Sequence, residues 1–267
     1  MPSFARDNLT LSFDDLGPRS CPVLLLIHGH PFDRSMWAPQ IQAAQAKGWR
    51  ALAPDLRGYG QSGITPGKVA FKTFADDLAA LLRHVDVTQA VIAGLSMGGQ
   101  IVMELFHHAP ELFRATVLAD TSPAPETPEG RRQRTAMAHR LETEGMSGYA
   151  HEVLPRMISP RTIARDPKVA DHVLQMMLST SPQGAAAALR GRAERRDYRD
   201  LIRTIEVPSL IMVGREDSFI SQADAEAVHR SLPASEFAII DDAGHLPNLE
   251  QPQRFNTAFF DFIDRVR

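Results

Sequence analysis

The feature that most restricts this chain is a series of short, unbroken apolar runs, each cut off by a turn former. They fall at 23–27 (VLLLI), 50–53 (RALA), 90–93 (AVIA), 115–119 (ATVLA), 209–213 (SLIMV) and 236–240 (EFAII). His28-Gly29, Pro54, Gly94, Asp120, Gly214 and Asp241 stop them in turn. A run without polar alternation buries both faces, as a strand does in a parallel sheet covered by helices. Helical patterns lie between the runs. Over 71–85, Phe71, Phe74, Leu78, Leu81, Leu82 and Val85 share one side, with Asp76, Asp77 and Arg83 opposite. Residues 97–108 read as a second helix ended by Pro110, and 223–231 and 252–266 as two more. This alternation predicts a doubly wound, mostly parallel α/β sheet. The start differs: 9–13 alternate, and Asp14-Asp15 and Gly17-Pro18 read as turns. An antiparallel hairpin at the sheet edge is expected there.

One stretch, 121–205, has no convincing strand. The segment Ser122-Pro123-Ala124-Pro125-Glu126-Thr127-Pro128 opens it, and Gly145, Gly148, Pro155, Pro160, Pro167 and Pro182 punctuate it. It carries 14 Lys and Arg against 10 Asp and Glu, a balance of +4, leaving −7 for the rest of the chain. It also holds Met137, Met146, Met157, Met176 and Met177, half of the ten methionines. It reads as an all-helical insertion before the last two strands. Its methionines suit either an adaptable apolar surface or gap-filling in an ordinary core. The chain of 267 residues then divides into a first core part at 1–120, the insertion at 121–205 and a second core part at 206–267. Such a length suits one α/β domain with an insertion as well as two domains.

Composition narrows the class. With 43% hydrophobic and 23% charged residues, the chain is an ordinary globular protein, not a disordered, collagen-like or coiled-coil one. A formal net charge of −3 lacks the electrostatic footprint of a nucleic-acid binder. The single cysteine, Cys21, fits a reducing compartment. The N-terminal segment shows no apolar core behind a basic start, and no apolar run approaches the roughly 20 residues of a membrane span. The expectation is a cytoplasmic protein acting on a small molecule, with neither nucleic acid nor membrane as partner and a homodimer left open.

The motif with chemistry is Gly94-Leu95-Ser96-Met97-Gly98-Gly99, between the run at 90–93 and the helix at 97–108. G-x-S-x-G in a strand–turn–helix context is a nucleophile elbow: glycines clear space for a strained turn that lifts the serine above the sheet. The helix start directs free N–H groups at developing negative charge. A serine needs a base and a carboxylate to orient that base. His245 follows the run at 236–240 and Asp217 the run at 209–213, both at strand ends where open α/β sheets place their sites. Ser96, His245 and Asp217 are therefore the expected catalytic residues. Asp120 is a rival acid and Glu216 a lesser one; Asp241 and Asp242 read as turn formers, and the helix histidines as solvated or packed. The expected oxyanion donors are the backbone N–H groups of Met97 and of His30, since Pro31 has none. The His30 side chain is expected to contact substrate, and His28 to anchor the loop. Phe32, Trp37, Met146 and Phe219 are the candidate substrate-lining residues, with Met97 a further one.

Several segments together resemble the α/β-hydrolase superfamily over essentially the whole chain. They are His28-Gly29-His30-Pro31, the loop Asp55-Leu56-Arg57-Gly58-Tyr59-Gly60-Gln61-Ser62, the GLSMGG elbow, and Ala243-Gly244-His245 with Glu250-Gln251-Pro252. The elbow is similar to that of arylesterases, cofactor-free haloperoxidases and 3-oxoadipate enol-lactonases. The resemblance implies an eight-stranded core, a helical cap at 121–205, no metal or organic cofactor, and the roles given above to Ser96, Asp217 and His245. A serine nucleophile departs from haloalkane dehalogenases and epoxide hydrolases, which use aspartate. The loop after Gly29 is not the HGGG form of one lipase and esterase group.

The function expected first is cleavage of a carboxylic ester of a small, partly hydrophobic substrate through an acyl-enzyme on Ser96. The same residues serve enol-lactone opening, C–C bond hydrolysis or pyruvate-eliminating lyase chemistry, and a slow receptor for a small ligand is a further alternative. A C–C hydrolase wants a grip on a substrate carboxylate; Arg190, Arg192, Arg195 and Arg196 offer one, although a solvated basic helix face is the first reading of them.

Overall fold

The computed structural model describes residues 2–6 and 9–267; Met1, Asp7 and Asn8 lie outside them, and with them the link between the first two strands. A single eight-stranded sheet runs in the order β1-β2-β4-β3-β5-β6-β7-β8. β1 (Ser3–Arg6) pairs antiparallel with β2 (Leu9–Leu16), and β2 antiparallel with β4 (Arg50–Pro54). β3 (Val23–Ile27), β5 (Ala90–Leu95), β6 (Phe113–Ala119), β7 (Ser209–Gly214) and β8 (Ser235–Ile240) extend it in parallel. Alternation along each strand divides the core between the faces. Leu25, Ile27 and Ile92 join α2 (Phe71–His84), α3 (Met97–His108) and α10 (Gln222–Ser231). Leu24, Leu26, Val91 and Ala93 face α1 (Ala38–Ala46) and α12 (Pro252–Ile263).

Between β6 and β7 the chain forms only helices among those elements: α4 (Pro128–Glu144), α5 (Ser147–Met157), α6 (Pro160–Arg165), α7 (Pro167–Ser179), α8 (Pro182–Ala193) and α9 (Arg199–Ile202). The prolines that break up this sequence start helices. Pro128, Pro160, Pro167 and Pro182 each follow an N-cap residue (Thr127, Ser159, Asp166 and Ser181) whose side chain accepts a first-turn N–H. Proline is at home in that first turn, where its missing N–H costs nothing.

α8 docks on the core by backbone contact. A side chain at Gly58 would meet Gly184 Cα at 2.9 Å, and one at Gly191 would collide with the Val69 carbonyl. Val69 N–H donates to the Ala187 carbonyl at 3.0 Å. Small residues on this face of α8 permit that approach.

Two local readings of the sequence need correction. Asp14 and Asp15 belong to β2 rather than to a turn; Asp14 pairs with Arg34 and Asp15 with Arg50. Asp77 is not on a solvent face but buried, with Arg57 donating twice to its carboxylate at 2.8 Å. The partners lie 20 or more residues away, so helical or strand periodicity carries no sign of them.

Candidate active site

Ser96 stands between β5 and α3 with φ 57° and ψ −117°. That left-handed φ is costly for a residue with a Cβ and is held by close packing around it. A Cβ at Gly98 would lie 2.8 Å from the His28 carbonyl oxygen, and one at Gly94 2.7 Å from Gly99 N. Ser96 N–H donates to the Ala119 carbonyl at 2.9 Å, and Thr121 Oγ1 donates to the Ser96 carbonyl at 2.7 Å. The turn is thus tied to the end of β6.

Ser96 Oγ lies 2.8 Å from His245 Nε2, and His245 Nδ1 lies 2.8 Å from Asp217 Oδ2. All three side chains come from the C-terminal ends of strands. Asp217 Oδ1 accepts from Phe219 N–H at 2.7 Å. Burial opposes ionisation of Asp217, but the His245 ring and the Phe219 N–H outweigh it and hold the carboxyl below its usual range. The Phe219 ring sits 4.8 Å from the His245 ring, with the Arg156 guanidinium 4.4 Å from the centre of its own.

Asp120, at the end of β6, lies beside this pair. Its Oδ1 accepts from Gly214 N–H at 2.8 Å, and its buried Oδ2 has no donor among the described residues. Burial, then the Asp217 charge, push its pKa well above the usual carboxylate value. Two carboxylates in contact do not ionise independently, and here the shifts run in opposite directions, Asp120 up and Asp217 down. Asp120, Asp217 and His245 have ligand-type atoms within 4.8 Å of one another; their mutual hydrogen bonding accounts for that closeness.

Neighbouring loops are fixed with equal care. The His28 ring bridges the Gly29 carbonyl at 2.8 Å and the Leu56 N–H at 2.9 Å, which puts its proton on Nδ1. Glu250, in α11 (Pro247–Glu250), accepts from Gly244 N–H at 2.8 Å through one oxygen. Its other oxygen accepts from Ser159 N–H and Thr162 Oγ1, each at 2.7 Å. His30 is buried, with Nδ1 2.7 Å from Tyr59 Oη.

A cavity of about 350 Å³ opens over Ser96 and His245. Its walls include His30 and Phe219, together with Tyr149, Met157, Arg134 and Arg192 from the insertion. Three other candidates for the lining do not reach it. Trp37 is fully buried against Phe255, Phe32 lies in the same layer, and Met146 packs between α4 and α8. Their size and apolarity suit a core as well as a pocket, and here the core takes them. Met97 is fully buried in the α2–α3 layer and does not line the cavity. Of the methionines in the insertion, Met157 lines the cavity while Met176 and Met177 fill the core.

The basic residues of α8 and its end divide in a way spacing does not disclose. Arg190 pairs with Glu142 at the surface, and the exposed Arg196 reaches in to the buried Glu104. Arg192 and Arg195 face the cavity instead. Gln100 had a usable signal, because four residues after Ser96 is the same face of α3. The sequence offers Arg192 among four arginines able to grip a carboxylate, whereas Arg134 and Tyr149 lie far along the chain and carry no local signal.

The sheet, the helical insertion and this site define a hydrolase. The chain belongs to the alpha/beta hydrolase family, whose model matches residues 24–258. It is similar to 3-oxoadipate enol-lactonase 1 of Acinetobacter baylyi, with 27% identity over 98% of this chain and 96% of the relative. Among solved structures it is similar to a thermophilic esterase from Thermogutta terrifontis with malate bound, at a TM-score of 0.94 and 37% identity, covering 99% of this chain and 97% of that one. It is also similar to the enol-lactonase from Burkholderia xenovorans, at a TM-score of 0.91 and 27% identity, covering 98% of this chain and 100% of that one. No helix among the described residues is long and apolar enough to cross a membrane.

Proposed function

We propose that the protein is a serine hydrolase that cleaves a carboxylic ester of a small, partly hydrophobic substrate. The observation that carries this reading is the hydrogen-bonded relay from Ser96 Oγ through His245 to Asp217, at 2.8 Å in both links. His245 Nε2 takes the Ser96 proton as Oγ bonds to the acyl carbon. The C–O bond to the alcohol then breaks, and His245 returns the proton to the departing oxygen. In the second half His245 takes a proton from water, the resulting hydroxide equivalent attacks the acyl carbon, and Ser96 leaves reprotonated. Asp217 stays ionised and orients the ring.

The oxyanion donors in this reading are the backbone N–H groups of Met97 and His30. Met97 is the first residue of α3, and the N–H groups of a first turn have no acceptor within their own helix. His30 lies in the turn after β3 closed by Phe32 N–H to the Gly29 carbonyl at 3.1 Å. Residues 121–205 act as a cap over the site, which the reading supports by the share of cavity wall they supply. An internal ester fits the same steps, and two relatives carry the name enol-lactonase, so lactone opening is the second reading.

Release of p-nitrophenol from p-nitrophenyl acetate and butyrate tests this. Wild-type turnover that is lost in Ser96→Ala is the expected result. Equal rates for wild type and Ser96→Ala would end the esterase reading.

A further inference from the structure

The cavity wall carries a half-buried positive charge that no ion pair among the described residues neutralises. Arg134 and Arg195 both pair with Glu126. Arg192 has no ion-pair partner among the described residues; its Nε donates to the neutral Gln100 Oε1 at 3.0 Å. The other acids of the wall are committed elsewhere. Burial and the neighbouring Asp217 charge disfavour ionisation of Asp120, and Asp224 closes the capping box of α10 with Ser221. A half-buried guanidinium without a counter-charge loses part of its hydration uncompensated, and an anion from outside relieves that cost.

A second group points the same way. His30 is only 3% exposed and lines the cavity, yet its Nε2 has no hydrogen-bond partner among the described residues. Burial, then Arg192 and Arg134, hold this imidazole well below its usual pKa, so it is neutral at pH 7. Tyr59 Oη occupies Nδ1 at 2.7 Å, which leaves Nε2 as the ring nitrogen free to meet a ligand in the cavity.

We propose that the cavity takes an anionic substrate, an ester or lactone that also carries a free carboxylate, which Arg192 grips while Ser96 attacks the carbonyl. His30 Nε2 is a further contact for the same carboxylate. The proposal rests on the esterase reading of Ser96 and specifies its substrate class. The placement is rigid, because α8 is seated on the core through Gly184 and Gly191. The reach is short. Gln100 follows Ser96 by one turn of α3, a rise of about 6 Å, and Arg192 is fastened to the end of its side chain. Tyr149, Val153 and Met157 line the cavity with apolar surface, which suits a linker of about two to four methylenes between the two groups.

The test compares matched esters on the full-length protein, with alcohol release followed by chromatography. Monomethyl adipate is set against methyl hexanoate, and 4-acetoxybutanoate against butyl acetate, so that the acyl and alcohol sides are separated. A preference of about tenfold or more in kcat/KM for the charged member of one pair is expected, since charge-assisted bidentate contacts are strong. In Arg192→Gln the ratio should fall toward one, and Arg192→Lys should restore part of it. Glutarate binding, measured by calorimetry, gives a readout without turnover; it should weaken about tenfold in Arg192→Gln.

Neutral esters cleaved as fast as charged ones by the wild type, with no glutarate binding, would overturn the anion site and leave the esterase reading standing. No ester cleaved at all, with glutarate still bound through Arg192, would do the reverse. The wild-type ratio and binding decide the matter even if a variant fails to fold.

Discussion

Glu250 and Ser159 are joined by a 2.7 Å hydrogen bond that ties the loop carrying His245 to the helical insertion. The same carboxylate accepts from Gly244 N–H at 2.8 Å and from Thr162 Oγ1 at 2.7 Å. One side chain therefore holds the loop before His245 and the start of α6 together. Replacing it with alanine strands several buried donors. Glu250→Ala should lose about 3 kcal/mol of stability in urea unfolding. Its kcat on a reactive ester should fall about tenfold to a hundredfold as His245 drifts from Ser96. Wild-type values for both would contradict the clamp.

Asp120 and Asp217 should respond differently to the same change. Asp217→Asn removes the charge that orients His245 and should lower kcat by about 10³-fold or more. Asp120→Asn substitutes an amide for an acid whose ionisation is disfavoured; the amide still accepts from Gly214 N–H, donates to Asp217, and tolerates the φ of 47°. It should keep far more activity than Asp120→Ala. A sign follows for stability too. The folded-state pKa of Asp120 is raised, first by burial and then by Asp217, so the folded protein holds a proton that the unfolded chain releases. The penalty therefore grows as pH rises above the unfolded value near 3.8. Asp120→Asn should gain stability relative to wild type from pH 4 to pH 7; a flat difference would place the proton elsewhere.

Glu126 gives the opposite slope. Burial works against its ionisation, but hydrogen bonds from Arg134 and Arg195 prevail and bring its pKa from 4.5 down to about 2. The folded-state value lies below the unfolded one, so the stabilisation is present above pH 4.5 and is lost as pH falls toward 2. With solvent screening discounted, it should amount to about 1–2 kcal/mol. Glu126→Gln should remove that part of the acid dependence, measured as unfolding midpoints between pH 5 and pH 3. An unchanged slope would mean that the pairs with Arg134 and Arg195 contribute nothing.

The seat of α8 can be tested at Gly184. A Cβ there would run into the carbonyl of Gly58, so Gly184→Ala must push the helix off the 55–62 loop. A loss of about 2 kcal/mol is expected from overpacking of this kind. The shift carries Arg192 with it, so selectivity among charged and neutral esters should drop along with stability. Gly145→Ala, at a position with open space around it but φ 77°, controls for backbone strain alone and should leave that selectivity intact.

Much of the core was readable because its signals are local. The inner parallel strands are runs such as VLLLI whose side chains are buried on both faces, whereas the edge strand β8 is only partly buried. The observed β3 spans the same five residues, Val23–Ile27, and the elbow at Ser96 is marked by glycines whose need is local as well. The hidden parts depend on distant partners. Asp14, Asp15 and Asp77 look like turn or surface residues until Arg34, Arg50 and Arg57 arrive from elsewhere in the chain. Arg190 and Arg192 are two residues apart on a helix, yet one meets Glu142 at the surface and the other the cavity. Trp37 and Phe32 look as able to line a pocket as Phe219, and only the packing of α1 and α12 decides otherwise.

The central claim is that Ser96, activated by His245, is the nucleophile. Intact-protein mass spectrometry after treatment with a fluorophosphonate tests it most directly, because such a reagent bonds to an activated serine and reports its position on peptide mapping. A single adduct on Ser96 is expected, absent in Ser96→Ala and much slower to form in His245→Ala. An unlabelled wild-type protein, or an adduct that persists in Ser96→Ala, would contradict it.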